Sequence, residues 1–187
     1  MTTLPDLQPT LDGTIVALRP LVAADWGALF AIASDPLIWA VHPAHDRWQE
    51  PIFRRFFDEA VASGGGLVAT DPASGAVIGF SRYDRARVEP GEIEIGWTFL
   101  ARAYWGGAVN AEMKRLMIGH ALKFFDRTAF LVGETNIRSR RAMEKIGGRL
   151  TDRVQDTELA GRTIRHVIYV IDRDDFARGP LAAALFI

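Results

Sequence analysis

The chain has 187 residues, of which 49% are hydrophobic and 24% are charged, and its net charge at pH 7 is −1. These values are typical of one globular domain with a substantial core, and they give no general attraction to nucleic acid or to an anionic membrane. Cysteine is absent, which excludes disulfides, thiolate metal sites and a cysteine nucleophile. The sequence shows neither a signal-peptide pattern at its start nor an apolar run of membrane-spanning length, so we expect a cytoplasmic protein.

The first half of the chain predicts a short leader, residues 1–13, followed by helices and strands. Pro20 ends the first strand, and the turn Asp71-Pro72-Ala73-Ser74-Gly75 between two short strands is a hairpin signal. The segment Asp35–Glu50 is irregular and contains two tryptophans and two histidines. The predicted strands are Thr14–Arg19, Leu67–Thr70 and Ala76–Tyr83, and the predicted helices are Leu21–Ser34 and Ile52–Ala62.

The central stretch, Glu92–Phe125, predicts a strand, a glycine turn and a helix. Its first part, Glu92–Leu100, shows the period-two pattern of a half-buried strand. One face of that strand carries Ile93, Ile95, Trp97 and Phe99, and the other carries Glu92, Glu94, Gly96 and Thr98. Farther along, apolar residues recur at helical spacing from Val109 to Phe124 and predict an amphipathic helix.

Gly106 and Gly107 stand immediately before this helix and admit two interpretations. They form either a simple tight turn or a phosphate-binding turn, because the first N–H groups of a helix are unpaired and lie at the positive end of its dipole. Neither the dinucleotide fingerprint nor a P-loop is complete here, so a nucleotide-binding module is the weakest interpretation.

A second strand and helix follow. Ala129–Glu134 is a short apolar strand, Asn136 is a good helix N-cap, and Gly147 is a good helix end. Ser139 shares a helix face with the apolar residues that follow it, so its side chain is expected to face the sheet.

The remainder of the chain predicts a final hairpin and a tail. Arg149–Thr157 and Thr163–Ile171 pair around Ala160-Gly161-Arg162, which closes a domain of residues 14–172. Residues 173–187 are a short helix and an apolar tail, which covers either its own core or that of a second copy in a homodimer. Because hairpins and parallel crossovers alternate, we expect an α/β fold with one mixed sheet flanked by helices.

The two strand–helix units together resemble the GNAT acyltransferase superfamily, and more narrowly its ribosomal-protein N-acetyltransferase (Rim-type) branch. The resemblance rests on EIGW, YWGG and the pattern N-x-x-S-x-x-x-x-x-K-x-G in this order, and it extends over about Gly13–Ile171. It implies a single mixed, mostly antiparallel sheet. It also implies that the fourth and fifth strands, Glu92–Leu100 and Ala129–Glu134, splay apart around acyl-CoA.

The resemblance also implies a binding site for acetyl-CoA. Its pyrophosphate would contact the turn Trp105-Gly106-Gly107-Ala108-Val109-Asn110, which departs from the family pattern at Trp105, Ala108 and Asn110. The pantetheine arm would pair with the strand at Thr98 and Phe99, where a bulge near Gly96 would free backbone groups. Asn136 would bind the pantetheine amide. Arg140, in a basic helix stripe, either contacts the CoA phosphates or is simply solvated.

For catalysis, the resemblance implies that Glu94 acts as general base, directly or through water, and that Ser139 protonates the departing thiolate. The acceptor site would include Trp39, His42, Trp48 and Glu92, although packed loop aromatics and ion-paired glutamates explain the same residues. No metal is expected, because His42 and His45 have no visible third ligand.

The sequence therefore predicts an acetyl-CoA-dependent N-acetyltransferase that acts on a small-molecule or peptide amine by direct attack. The alternative is a noncatalytic acyl-CoA-binding or sensor domain, which the irregular glycine turn favours.

Overall fold

A computed structural model describes residues 5–159 and 161–183 of the chain. Within this range the strands are β1 (Ala17–Pro20), β2 (Gly66–Thr70), β3 (Val77–Asp84), β4 (Glu92–Leu100), β5 (Arg127–Gly133), β6 (Arg149–Leu159) and β7 (Arg162–Asp172). The helices are α1 (Trp26–Ala33), α2 (Pro36–Trp39), α3 (Glu50–Ala62), α4 (Ala108–Ala121), α5 (Ile137–Lys145), α6 (Arg173–Arg178) and α7 (Pro180–Ala183). Two single 3₁₀ turns lie at Ala23–Asp25 and Arg102–Tyr104.

The strands form one sheet in the order β1-β2-β3-β4-β5-β7-β6. Neighbouring strands are antiparallel except β4 and β5, which are parallel. The predicted mixed, mostly antiparallel sheet with flanking helices is therefore confirmed. β4 and β5 pair only between Glu92–Glu94 and Arg127–Ala129 and then separate, which is the predicted splay.

The two faces of the sheet bury different apolar clusters. On one face, Ile93 and Ile95 pack with Met113 and Met117 of α4. On the other face, a cluster of aromatic and aliphatic side chains from α1, α2 and α3 covers the sheet and includes Phe99. The gap between β4 and β5 therefore connects an α4 face with an α1–α3 face.

A bulge in β4 corrects the predicted alternation of that strand. Phe80 pairs with Phe99 whereas Arg82 pairs with Gly96, so Ser81 faces the two residues Trp97 and Thr98. Because one extra residue reverses the alternation beyond it, Trp97 and Phe99 lie on the α1–α3 face and not with the isoleucines. The prediction that Ile93, Ile95, Trp97 and Phe99 share one face was wrong.

The segment before α3 also differs from its prediction. Helix α1 begins only at Trp26, because Asp25 accepts a hydrogen bond from the Val22 N–H (2.9 Å) and forms an ion pair with Arg19 of β1. The stretch predicted as irregular contains the one-turn helix α2, capped by the Asp35 carboxylate, which accepts from the Leu37 N–H at 3.0 Å.

The ends of α5 follow the predicted chemistry. The Asn136 Oδ1 accepts a hydrogen bond from the Ser139 N–H at 3.2 Å and caps the helix start. At the other end Gly147 has a φ of 88°, and the Gly148 N–H donates to the Met143 carbonyl at 2.8 Å. This pattern is a Schellman motif, in which a residue with positive φ favours glycine.

The described parts of the two terminal segments contact the domain. Leu11 pairs with Leu18 through two backbone hydrogen bonds of 2.8 Å, and Leu181 is buried in the protein's own core. The predicted boundaries, a leader of residues 1–13 and a tail of residues 173–187, remain predictions. Residues 1–4 and 184–187 of these segments lie outside the described range.

Candidate active site

A cavity of about 360 Å³ fills the gap between β4 and β5. From the α4 face it is lined by Asn110 and Lys114, and α5 contributes Ser139, with its capping residue Asn136 beside it. The loop between α2 and α3 contributes His42 and Arg47 from the other side of the sheet. The cavity therefore runs through the sheet, so two reactants can approach each other from opposite faces.

The β4 bulge borders this cavity and places Trp97 in an uncommon conformation. Trp97 has a φ of 54°, which residues other than glycine rarely adopt. The centre of its ring lies 3.6 Å from the guanidinium carbon of Arg82 and 4.5 Å from the guanidinium carbon of Arg87. Residues held in such conformations cluster at binding and catalytic sites, and these two cation–π contacts hold Trp97 in place.

Glu94 is fully buried and lines the cavity. Its two carboxylate oxygens accept hydrogen bonds from the Arg87 guanidinium, at 3.1 Å from Nε and 2.6 Å from Nη2. Burial raises the pKa of Glu94, and the charge and hydrogen bonds of Arg87 oppose that rise. Glu94 is thus a carboxylate at the cavity wall, and burial and the Arg87 contact shift its pKa in opposite directions.

Glu92 is also buried, but it lies outside the cavity lining. Arg127 Nε lies 2.9 Å from its Oε1, and Arg153 contacts both of its carboxylate oxygens at 2.9 and 3.1 Å. These contacts connect β4 to β5 and β6 at the closed end of the gap. The structure therefore gives Glu92 a place in an ion-pair cluster and does not bring it to the cavity.

At the start of α5, Asn136 and Ser139 both line the cavity. Asn136 is buried, and its amide oxygen is engaged as the helix cap. In the described part of the chain, no protein group forms a hydrogen bond with the Ser139 hydroxyl. That hydroxyl is consequently available to a ligand in the gap.

The glycine turn leads into α4 with an open helix start. Gly106 has a φ of 70°, and Gly107 is the N-cap residue with no side-chain cap. The Trp105 indole donates to the Leu100 carbonyl at 2.9 Å, and the Arg138 guanidinium lies over its ring at 4.4 Å. Trp105 is thus fixed to β4. The first turn of α4 contains no acidic side chain near the N–H groups of Gly107, Ala108 and Val109.

Other predicted site residues are divided between the cavity and the core. Thr98 lines the cavity and accepts a hydrogen bond from Lys114 Nζ at 2.6 Å, whereas Phe99 is buried in the α1–α3 cluster. Arg140 lies outside the cavity, where it donates to the Tyr169 hydroxyl and the Glu134 carbonyl.

Of the four predicted acceptor residues, Trp39, His42, Trp48 and Glu92, only His42 lines the cavity. Its Nδ1 accepts from the Ala44 N–H at 2.9 Å, and burial lowers its pKa to about 3, so the ring is neutral at physiological pH. Trp39 is buried, with its indole N–H donating to the Ala33 carbonyl, whereas Trp48 is exposed and outside the cavity.

Four charged residues at the cavity were missed from the sequence: Arg47, Arg87, Lys114 and Glu158. Lys114 follows Asn110 by four residues and therefore lies on the same helix face, a spacing that could have revealed it. Arg47 and Arg87 lie in segments without periodicity, where no local pattern indicates which way a side chain points.

Two kinds of feature are absent from the described residues, 5–159 and 161–183. No group of three or more His, Asp or Glu side chains in that range is arranged to hold a metal ion. None of the helices in the same range is long and apolar enough to cross a membrane.

Comparison with known proteins agrees with this geometry. Residues 16–149 match the family model described as the acetyltransferase (GNAT) domain. A search of curated proteins finds no match.

Several solved structures are similar along most of the chain. A GCN5-related N-acetyltransferase from Brucella melitensis shares 23% identity with a TM-score of 0.76, covering 90% of this chain and 80% of that one. An acetyltransferase of the GNAT family from Bacillus anthracis shares 17% identity with a TM-score of 0.72, covering 89% of this chain and 99% of that one. Mycobacterium smegmatis RimJ in complex with CoA-disulfide shares 17% identity with a TM-score of 0.73, covering 96% of this chain and 95% of that one.

Proposed function

Because the chain belongs to the GNAT acetyltransferase family, we propose that it transfers an acetyl group from acetyl-CoA to the nitrogen of a primary amine. One observation carries this proposal: a cavity that passes through the sheet between β4 and β5 has a buried carboxylate, Glu94, and a free hydroxyl, Ser139, in its walls. Family membership supports acyl transfer in general. Acetyl-CoA as donor and an amine as acceptor are the specific parts of the proposal.

The donor would enter from the α4 face. The helix start at Gly107 offers unpaired N–H groups and the positive end of the helix dipole to the pyrophosphate. From there the pantetheine arm would extend into the gap, where β4 and β5 no longer pair with each other. Asn136 and Ser139 line the cavity and would lie at the end of that path. The RimJ neighbour is in complex with CoA-disulfide, which supports a CoA thioester as the donor.

The acceptor would enter from the α1–α3 face. Glu94, directly or through a water, would remove a proton from the ammonium group, and the neutral nitrogen would attack the thioester carbonyl carbon. The carbon–nitrogen bond would form and the carbon–sulfur bond would break as the Ser139 hydroxyl protonates the departing thiolate. The attacking nitrogen, which still carries one proton more than the amide product, would release that proton to restore the serine hydroxyl. With no cysteine in the chain, direct transfer is the simplest course.

The competing function is acyl-CoA binding without catalysis. The bidentate contact between Arg87 and Glu94 favours it, because a carboxylate held in an ion pair is a weaker base. The glycine turn, with Trp105, Ala108 and Asn110 in place of the usual family residues, favours it as well.

The test uses two buried glutamates of the same strand. Release of free thiol from acetyl-CoA is measured against a panel of primary amines, for the unmodified protein, Glu94→Gln and Glu92→Gln. Both glutamates are paired with arginine, but only Glu94 lines the cavity. We expect Glu94→Gln to lower kcat about 10²–10⁴-fold and to remove the acidic limb of the pH–rate profile.

Glu92→Gln should lower stability and leave the shape of that profile unchanged. Binding of acetyl-CoA with no thiol release for any amine would reject the enzyme and favour the binding domain. Equal effects of the two substitutions on the pH–rate profile would reject Glu94 as the base.

A further inference from the structure

Arg47 presents a cation to the cavity without an acidic partner. It lines the cavity on the α1–α3 face, and no carboxylate of the described residues lies within salt-bridge distance of its guanidinium. Its guanidinium carbon lies 5.2 Å from the centre of the Trp39 ring and 4.5 Å from that of Phe56. These aromatic contacts fix the side chain but form no ion pair that would provide compensation for its charge. Asp46 and Glu59 act on that charge only from beyond salt-bridge distance.

The other titratable groups around the cavity do not supply that compensation. Glu94 is occupied by Arg87, and Glu158 is an exposed residue of the final hairpin that accepts from the Thr163 hydroxyl. His42 is neutral, and burial lowers the pKa of His166. Burial also lowers the pKa of Arg47, to about 10, which still leaves it charged at neutral pH.

We propose that the acceptor amine carries a carboxylate, and that Arg47 binds this carboxylate while the amine lies toward Glu94. The proposal rests on the function proposed above and specifies its substrate class. The planar guanidinium matches a carboxylate in a bidentate arrangement, and such charge-assisted hydrogen bonds are strengthened in a partly buried site. An amine without an anionic group would form no such contact with the guanidinium, which has no ion-pair partner in the described residues.

The carboxylate has two possible sources. It is either the α-carboxylate of a free amino acid or an acidic side chain next to the N-terminus of a peptide. A second, more open depression shares His42, Pro43, Leu159 and Ile164 with the cavity and offers room for a longer acceptor. The experiment therefore contains one arm for each source.

In the first arm, acetyl transfer to each proteinogenic amino acid is compared with transfer to the corresponding amino-acid amide, which lacks the α-carboxylate. In the second arm, Ala-Asp-amide is compared with Ala-Asn-amide, and Ala-Glu-amide with Ala-Gln-amide. We expect the carboxylate member of at least one pair to have a kcat/KM about 10- to 100-fold higher than its neutral partner. Whichever arm shows the preference identifies the source.

Arg47→Met should abolish that preference, because methionine keeps an unbranched apolar stem on the aromatic rings and removes the charge. The matched control is Arg54→Met: Arg54 stacks on Trp26 at 3.4 Å, is exposed, and lies outside the cavity. Arg54→Met should retain the preference in full. Equal rates within every pair, or a preference that survives in folded Arg47→Met, would overturn the proposal.

A binding measurement separates this proposal from the catalytic one. The N-acetylated forms of the same amino acids and amides are titrated calorimetrically, which requires no turnover. In one outcome no amine is acetylated, the N-acetyl acids bind more tightly than their amides, and Arg47→Met removes this difference. That outcome would support the carboxylate site at Arg47 and reject the proposed acetyl transfer. If amines are acetylated and the two members of every pair react at equal rates, the proposed acetyl transfer is supported and the carboxylate site at Arg47 is rejected.

Discussion

Lys114 is the most unusual charged group of the fold, and its replacement by methionine gives a sharp test of the structure. The side chain is 3% exposed, and its Nζ donates to the Thr98 hydroxyl at 2.6 Å and lies 5.7 Å from the centre of the Phe130 ring. In the described residues no carboxylate lies within salt-bridge distance of the amine. Methionine has a similar length and no charge, and Thr98 would keep its 2.8 Å contact with the Ser81 hydroxyl.

The magnitude follows from the proton balance between the folded and unfolded states. Burial lowers the pKa of Lys114 from 10.5 to about 7, whereas the unfolded chain keeps the ordinary value. Between these two values the unfolded state binds more protons, so the free energy of unfolding rises with pH. The cost of burying the amine is therefore complete below pH 7 and is relieved as pH rises toward 10.5. At about 1.4 kcal/mol per pKa unit, the relief between pH 6 and pH 9 is about 3 kcal/mol.

Lys114→Met should consequently raise the free energy of unfolding by about 3 kcal/mol more at pH 6 than at pH 9. The measurement is urea-induced unfolding of both proteins at both pH values. Lys123→Met, which changes an exposed lysine just after α4, should show no such pH dependence. The same stability difference between Lys114→Met and the parent at the two pH values would refute the lowered pKa of the buried amine.

Two predictions concern the donor site. A Cβ added at Gly107 would meet no atom within 4 Å, so Gly107→Val should fold normally and yet obstruct the pyrophosphate. Acetyl-CoA at about 100 times its Kd should protect the parent by about 2.7 kcal/mol, and a roughly tenfold weaker Kd would remove about 1.4 kcal/mol of it. Unchanged thermal protection in this variant would reject the phosphate turn. If the Ser139 hydroxyl protonates the thiolate, Ser139→Ala should lower kcat and leave the KM for acetyl-CoA nearly unchanged. Steady-state kinetics measures both constants, and a kcat within about twofold of the parent would reject that role.

The sequence predicted the main elements of the fold well because their signals are local. The bounds of β4 were predicted at Glu92–Leu100, and the cap at Asn136 and the end at Gly147 were read from single residues with clear backbone preferences. A bulge near Gly96 was expected, but the change of sides at Trp97 and Phe99 was not, because alternation within one strand carries no information about its partner. The position of the bulge depends on how β3 pairs with β4, and only the register shows that Trp97 and Phe99 have changed sides.

The site was predictable to the extent that it lies on regular elements. Glu94, Thr98, Asn110, Asn136 and Ser139 lie on β4, on α4 and at the start of α5, and the structure brings all five to one cavity. The acceptor side was less accessible to sequence reasoning, because the loop between α2 and α3 has no period that indicates direction. In this part of the chain Trp39 is buried, and Trp48 is exposed outside the cavity. Arg47, between them in the sequence, is the charged residue that lines the cavity.

Because β4 and β5 pair over only three residues, a small rotation at the paired end of the gap would cause a larger displacement at its open end. Thr98 lies four residues beyond Glu94, the last paired position of β4, which is about 13 Å at the usual rise of a strand. A rotation of about 5° at the paired end would move Thr98 by about 1 Å, and errors of that size at a reacting centre cost about 10²-fold in rate. The contacts of Arg127 and Arg153 with Glu92 at the closed end therefore contribute to the spacing of the open end, together with the pairing of β4 with β3 and of β5 with β7. Residues outside the cavity thereby help to determine the width of the gap between β4 and β5.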